Sequence, residues 1–139
     1  MLATNIGVYP LLSHKHPINT AGAGSESQEQ QHLFAWWFWA SSQWPDAVMF
    51  AIPNGGWRSL RTATRLKAEG VLAGVPDIFL AAPRGSSHGL FVEMKRTSGG
   101  TVSKAQKFVM ARLMAAGYSC SVCRGFGEAK AAVEGYLNG

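Results

Sequence analysis

Acidic residues are scarce in this chain. Eight Asp and Glu stand against thirteen Lys and Arg in 139 residues, for a formal net charge of +5. A surface with so few acids suits a polyanionic partner. Cysteine is nearly absent. Cys120 and Cys123 form a lone Cys-x-x-Cys, and without a second pair a zinc ribbon is excluded. In a strand, positions three apart face opposite ways, which excludes joint chelation by the two thiols. They read as reduced structural cysteines of an intracellular, cytoplasmic protein. No apolar run reaches the length of a transmembrane helix, and no membrane association is expected. The N-terminus lacks a charged region ahead of an apolar core, so no signal peptide is expected. No internal repeat is visible, which excludes a solenoid.

What is present is a globular composition, 47% apolar and 15% charged, at a length that supports one domain with its own core. The charge is unevenly spread. Ten of the thirteen Lys and Arg fall between Arg58 and Arg112, against the three acids Glu69, Asp77 and Glu93. Inside that basic region lies the stretch that organises the chain, Gly74 to Gln106. Two apolar runs, beginning at Asp77 and ending at Lys95, flank a polar turn over Arg84–His88, which is a hairpin signal. Glu93 and Lys95 are two apart on a strand and point the same way. Pairing through that turn brings Asp77 and Glu93 to the same open end. Two carboxylates beside one ammonium suit a hard, oxygen-ligated divalent cation.

The rest of the chain frames this hairpin. Residues 1–24 read as an N-terminal arm, with His14 and His16 as solvent or DNA contacts, and residues 25–139 as the folded domain. Ser25 with Gln28 forms a capping box for a helix running to about Ser41. Leu33, Phe34, Trp36, Trp37 and Phe38 make that helix heavily apolar. Glu29 shares the inward stripe with Leu33 and Trp37. Ala47–Ile52 reads as a short buried strand. Asn54-Gly55-Gly56 follows as a loop able to offer backbone amides to a phosphate. A helix from Ser59 to Glu69 carries Arg58, Arg61 and Arg65 as a basic ridge, with Leu60, Ala63, Thr64 and Leu66 expected inward. After the hairpin, Gly99-Gly100 is expected to be a mobile link. Ser103 with Gln106 forms another capping box. The helix it starts is expected to bury Phe108, Val109, Leu113 and Met114. Tyr118–Cys123 reads as a strand and Glu128–Leu137 as a closing helix. A helix crossing from the hairpin to the last strand favours a parallel pairing there, hence a mixed sheet.

Pro76-Asp77 followed by Glu93-Met94-Lys95 resembles the PD-(D/E)xK nuclease pattern. Gly70-Val71, Gly74-Val75-Pro76-Asp77, Glu93-Met94-Lys95-Arg96 and Ser103-Lys104-Ala105-Gln106 are similar to the VRR-NUC branch of that superfamily, over roughly residues 26–125. The resemblance implies an α/β fold with a restriction-endonuclease-like core, a central mixed sheet flanked by helices. It also implies a stand-alone protein of a bacterial or phage-infected cell, hydrolysing DNA phosphodiesters with Mg²⁺ or Mn²⁺. Asp77, Glu93 and the Met94 carbonyl would hold the metal. Lys95 would orient or deprotonate the attacking water, and Gln106 would position Lys95 or the substrate phosphate. A family Glu on the first helix, which completes the metal site directly or through water, maps to Glu29, with Glu26 as the alternative register. Gln106 also has the plain reading of a capping residue alone. Asn54, Arg58, Arg61, Arg65, Lys67 and Arg96 are expected against backbone phosphates, contacts that position without reading sequence.

No groove-reading motif is evident, which argues for structure-selective cutting, and the resemblance implies Holliday junctions, flaps or other branched DNA as the substrate. Two other readings are a non-catalytic DNA-binding module on the same fold and a sequence-specific restriction-type enzyme. A branched junction needs two symmetric cuts, and a two-fold dimer supplies two sites. Trp36, Trp37, Phe38, Trp39 and Trp44 are too many to turn toward one small core from one helix. A homodimer interface is expected there, unless residues 1–24 fold back over them.

Overall fold

The computed structural model describes residues 24–54 and 59–139. His14, His16, Gly55, Gly56, Arg58 and all of the expected arm except Gly24 lie outside the described residues.

Helix α1 spans Glu26–Ala40 and is followed by a 3₁₀ turn, Ser41–Gln43. Strand β1 is Val48–Ala51, α2 is Leu60–Ala68, β2 is Ile78–Ala81 and β3 is Leu90–Lys95. Helix α3 spans Lys104–Ala115, β4 Ser119–Arg124 and α4 Gly125–Asn138. The four strands form one sheet in chain order. β1–β2 and β2–β3 pair antiparallel and β3–β4 pair parallel, so the sheet is mixed and α3 is the crossover that a parallel pair needs. Both capping boxes form: Ser25 Oγ accepts from the Gln28 amide and Ser103 Oγ from the Gln106 amide, each glutamine returning the bond.

One sheet face carries the core. Met49, Ile78, Leu80, Leu90, Val92 and Met94 project from it against Leu33 and Trp37 of α1 and Ala129, Val133 and Leu137 of α4. Burying each large apolar side chain stabilises the fold by roughly 1.5–3 kcal/mol. Trp44 completes this layer, stacking on Trp37 at a ring separation of 6.0 Å and donating its indole N–H to Asn138 Oδ1. On the opposite face Phe50, Phe79 and Phe91 follow one another across the three antiparallel strands, and α3 lies alongside.

The structure corrects several sequence expectations. Among the described residues β1 is an edge strand with no strand on its other side, and only Met49 is buried; Val48 and Phe50 are exposed. No residue of α2 is buried, and Leu60, expected inward, is 85% exposed. Two leucines and two alanines among five polar or charged neighbours are too little to seat a nine-residue helix on the sheet. In α3 the inward stripe is Gln106, Val109, Met110 and Leu113, a clean i, i+3, i+4, i+7 set. Phe108 and Met114 instead face out, at 62% and 53% exposure. The helix is turned so that Gln106 points at the sheet, and that fixes which of its apolar residues follow. The Gly99-Gly100 link is tied down: the Arg124 guanidinium donates to Gly99 O at 2.6 Å and to Gly100 O at 3.2 Å. Cys120 and Cys123 alternate across β4, and burial pushes the Cys123 thiol up to about 11, which keeps it protonated and inert.

Candidate active site

Three backbone features bring the expected residues together. Pro76 is fully buried and leads the chain into β2. The Ile52 amide donates to Asp77 O at 2.7 Å, extending the β1–β2 ladder to this end of the sheet. Because Ile78 pairs with Val92, Asp77 stands opposite Glu93. Asp77 Oδ2 accepts a hydrogen bond from the Met94 amide at 2.8 Å, locking its side chain across to β3.

Glu93 and Lys95 are 3% and 6% exposed, the only buried charged residues among those described. Lys95 Nζ donates to Glu93 Oε1 at 3.0 Å and to Gln106 Oε1 at 3.2 Å. Gln106 Nε2 donates to the same Glu93 Oε1 at 2.6 Å, while Gln106 Oε1 also accepts from the Ser103 amide at 2.9 Å. Only this amide orientation satisfies all three partners, since the flipped one would set an NH₂ against two donors. Gln106 therefore caps α3 and ties Glu93 to Lys95 with one side chain. The capping and site readings of Gln106 describe the same geometry.

The second oxygen of Glu93 has no such company. Oε2 is buried and has no hydrogen-bond partner among the described residues. Burial pushes the Glu93 carboxyl up to about 7; Lys95 works against that shift, and the Asp77 charge adds to it. Asp77 is raised too, chiefly by burial, with the Met94 amide and Lys95 opposing and Glu26 adding to it. Two facing carboxyls with raised pKa values and one orphaned oxygen call for a proton or a cation. No three His, Cys, Asp or Glu side chains among the described residues converge on one point. Any metal here draws its remaining ligands from the main chain and water, as Mg²⁺ commonly does.

The two first-helix acids part company. Glu29 lies on the inward stripe, but its Oε2 accepts from the Phe126 amide at 2.6 Å, so it caps the N-terminus of α4. Glu26, one turn earlier, lines an open cleft of about 440 Å³ together with Gln30, Phe34, Asn54, Asp77 and Met94. The structure thus brings Glu26, and not Glu29, beside Asp77. Sequence spacing could not separate them, because both are first-turn acids and the difference lies in where α4 begins.

Of the basic set, Arg61, Arg65, Lys67 and Arg96 are exposed, and Arg65 makes only a 3.7 Å surface pair with Glu69. Arg58 lies outside the described residues. The Asn54 side chain is committed to structure, donating to Leu72 O at 3.0 Å and Val75 O at 2.9 Å. Gln30, Phe34 and Arg124 were not singled out from the sequence. Their only signal was helical phase for the first two, and none exists for Arg124.

The model of the VRR-NUC domain family matches residues 17–127. The chain belongs to this family. A solved structure described as a "VRR_NUC domain protein" is similar in fold, with a TM-score of 0.68 at 23% identity, covering 84% of this chain and 91% of that one. No curated protein matches the chain. The VRR-NUC assignment places the fold in the PD-(D/E)xK group and gives it a nuclease-type function acting on DNA. Among the described residues of this VRR-NUC chain, no helix is long and apolar enough to cross a membrane.

Proposed function

We propose that this VRR-NUC chain is a divalent-metal-dependent DNA endonuclease that cuts branched DNA as a homodimer. The observation that carries the reading is Glu93 Oε2, a buried acceptor left without a partner among the described residues, beside the second raised carboxyl of Asp77. A buried polar atom is seldom left unpaired in a native protein unless a ligand satisfies it. Asp77, Glu93 and the Met94 carbonyl would hold Mg²⁺ or Mn²⁺, with Glu26 rather than Glu29 reaching the ion through water. A cation there would neutralise phosphate oxygens and activate a water near neutral pH.

The protein groups do the positioning. An ammonium has three N–H donors, and Lys95 spends one on Glu93 and one on Gln106. Its third is left for the attacking water or a phosphate oxygen, in a site dry enough to strengthen the interaction. Gln106 keeps the ammonium from collapsing fully onto Glu93. The α1 cleft beside Asp77 is open to solvent, which gives a sugar-phosphate strand access to that carboxylate.

Arg61 and Arg65 are assigned to backbone phosphates. Neutralising both is expected to lower the slope of log affinity against log salt by roughly one unit per lost contact. An unchanged slope in titrations from 50 to 300 mM salt would place α2 away from DNA.

Support for assembly comes from α1. Trp39 is 72% exposed and meets Phe38 edge-on at 5.0 Å, an aromatic pair of the kind enriched at interfaces. The deciding experiment incubates purified protein with labelled Holliday junction, flap and matched linear duplex, with Mg²⁺, Mn²⁺ or EDTA, alongside light scattering. Metal-dependent cutting of the branched substrates by a dimer is expected. Equal cutting in EDTA refutes the metal reading. Equal cutting of linear duplex refutes the selectivity, and junction cleavage by a monomer refutes the dimer.

A further inference from the structure

We infer that Gly74 is a positioning residue for the active site, acting through the first turn of α3. The inference rests on the reading of Glu93, Lys95 and Gln106 as nuclease machinery. Gly74 has φ +93° and lies directly against α3. A Cβ built there would meet Ala105 O at 2.5 Å, Ala105 C at 2.6 Å and Gln106 N at 2.9 Å. All three are backbone atoms, so no side-chain rotation can relieve the contact. Glycine is thus required twice, for its conformation and for the approach.

The loop bearing Gly74 has little freedom to retreat. Asn54 Nδ2 clamps the carbonyls of Leu72 and Val75 on either side of it, and Pro76 beyond is fully buried. The bare backbone of Gly74 therefore sets how deeply α3 sits over the sheet. The residue at that contact is Gln106, whose amide bridges Glu93 at 2.6 Å and Lys95 at 3.2 Å. The second distance has little slack before the bond is lost. A methyl group on residue 74 would lift the first turn and take the Gln106 oxygen from Lys95. The motif Gly-Val-Pro-Asp then has two functions: Asp77 enters the site, and Gly74 admits the helix that orders Lys95.

The chain contains its own control. Gly70 has φ +98°, and a Cβ there would meet nothing within 4 Å. Gly70→Ala and Gly74→Ala carry the same left-handed strain, and only the second touches α3. Both are expected to lower the melting temperature. Only Gly74→Ala is expected to slow single-turnover cleavage, tenfold or more, with the DNA dissociation constant within about twofold of the parent. Cleavage by Gly74→Ala at the rate of Gly70→Ala would overturn the inference. The Gln106 side-chain amide resonances report the same event without activity. They are expected to move toward free-amide values in Gly74→Ala and to stay in place in Gly70→Ala; unmoved resonances in Gly74→Ala overturn the inference. If the parent cuts no DNA, the nuclease reading fails while these resonances still decide the positioning role. Should Gly74→Ala not fold, Ser103→Ala releases the same turn without backbone strain by removing the bond to the Gln106 amide. Turnover is then expected to fall severalfold and to return in Ser103→Thr, and parental turnover in Ser103→Ala overturns the inference.

Discussion

Asp77→Ala, Glu93→Ala and Lys95→Ala are each expected to lower DNA cleavage by ~10²–10³-fold or more, the scale at which losing one preorganised electrostatic group acts on a rate. Each removes a different part of the arrangement. Asp77→Ala takes away one carboxylate and strands the Met94 amide, at a stability cost of about 1–3 kcal/mol. Glu93→Ala removes the anion that Lys95 and Gln106 both address. Lys95→Ala leaves Glu93 buried without its ammonium, and the carboxyl meets that loss by keeping its proton. The conservative set Asp77→Asn, Glu93→Gln and Lys95→Met separates chemistry from folding, because each preserves most of the packing. At pH 5, where Glu93 keeps its proton, these variants are expected to melt within a few degrees of the parent, and at neutral pH to remain inactive on a labelled junction. A well-folded member of either set that cleaves within tenfold of the parent would remove that residue from the mechanism.

The second large effect is on stability, and it tests the proposed metal. The Glu93 carboxyl is raised in the folded state from 4.5 to about 7. A group whose folded pKa lies above its unfolded value stabilises the fold fully below 4.5, and that contribution is lost as pH rises through about 7. In EDTA, the fold is therefore expected to lose on the order of 3 kcal/mol from this one group between pH 4.5 and 8. Asp77, also raised, acts in the same direction. Glu93→Gln lacks the Glu93 contribution, so it is expected to be the more stable protein at pH 8 and close to the parent at pH 5.

A divalent cation would compete with the proton for the same oxygens. Mg²⁺ at ten times its dissociation constant is expected to restore about 1.4 kcal/mol at pH 8, a shift of several degrees in melting temperature. At pH 5 it should add little, and to Glu93→Gln it should add little at either pH. Melting curves at the two pH values, with EDTA or Mg²⁺, provide the check. Equal Mg²⁺ stabilisation at pH 5 and 8, or an undiminished effect in Glu93→Gln, would mean that the ion binds elsewhere.

Much of the fold was legible because its signals are local. Ser25 with Gln28 and Ser103 with Gln106 announce helix starts through bonds that span three residues. The hairpin from Asp77 to Lys95 follows from alternation and a polar turn, and the parallel β3–β4 pair follows from the helix between them. The convergence of Asp77, Glu93 and Lys95 was likewise available, because strand register is a matter of counting.

What sequence could not supply was orientation against distant partners. Helical phase put Glu29 on the inward stripe correctly, but which acid faces Asp77 depends on α4 beginning at Gly125 and drawing Glu29 to Phe126, 97 residues away. Phe108 reads as core by apolarity, yet α3 is rotated to aim Gln106 at Glu93, and Phe108 is turned to solvent as a result. The amphipathic pattern of α2 named an inward face without any guarantee that a surface would be there to receive it. By itself the sequence determined the elements, their order and the convergence of Asp77, Glu93 and Lys95. Only the tertiary structure decided which glutamate stands at the cleft, how Gln106 joins Glu93 to Lys95, and that one Glu93 oxygen is buried unpaired among the described residues. The physical reason is range: capping, alternation and register act within a few residues or along one ladder. Burial, pKa and the seating of a helix depend on every element packed around them.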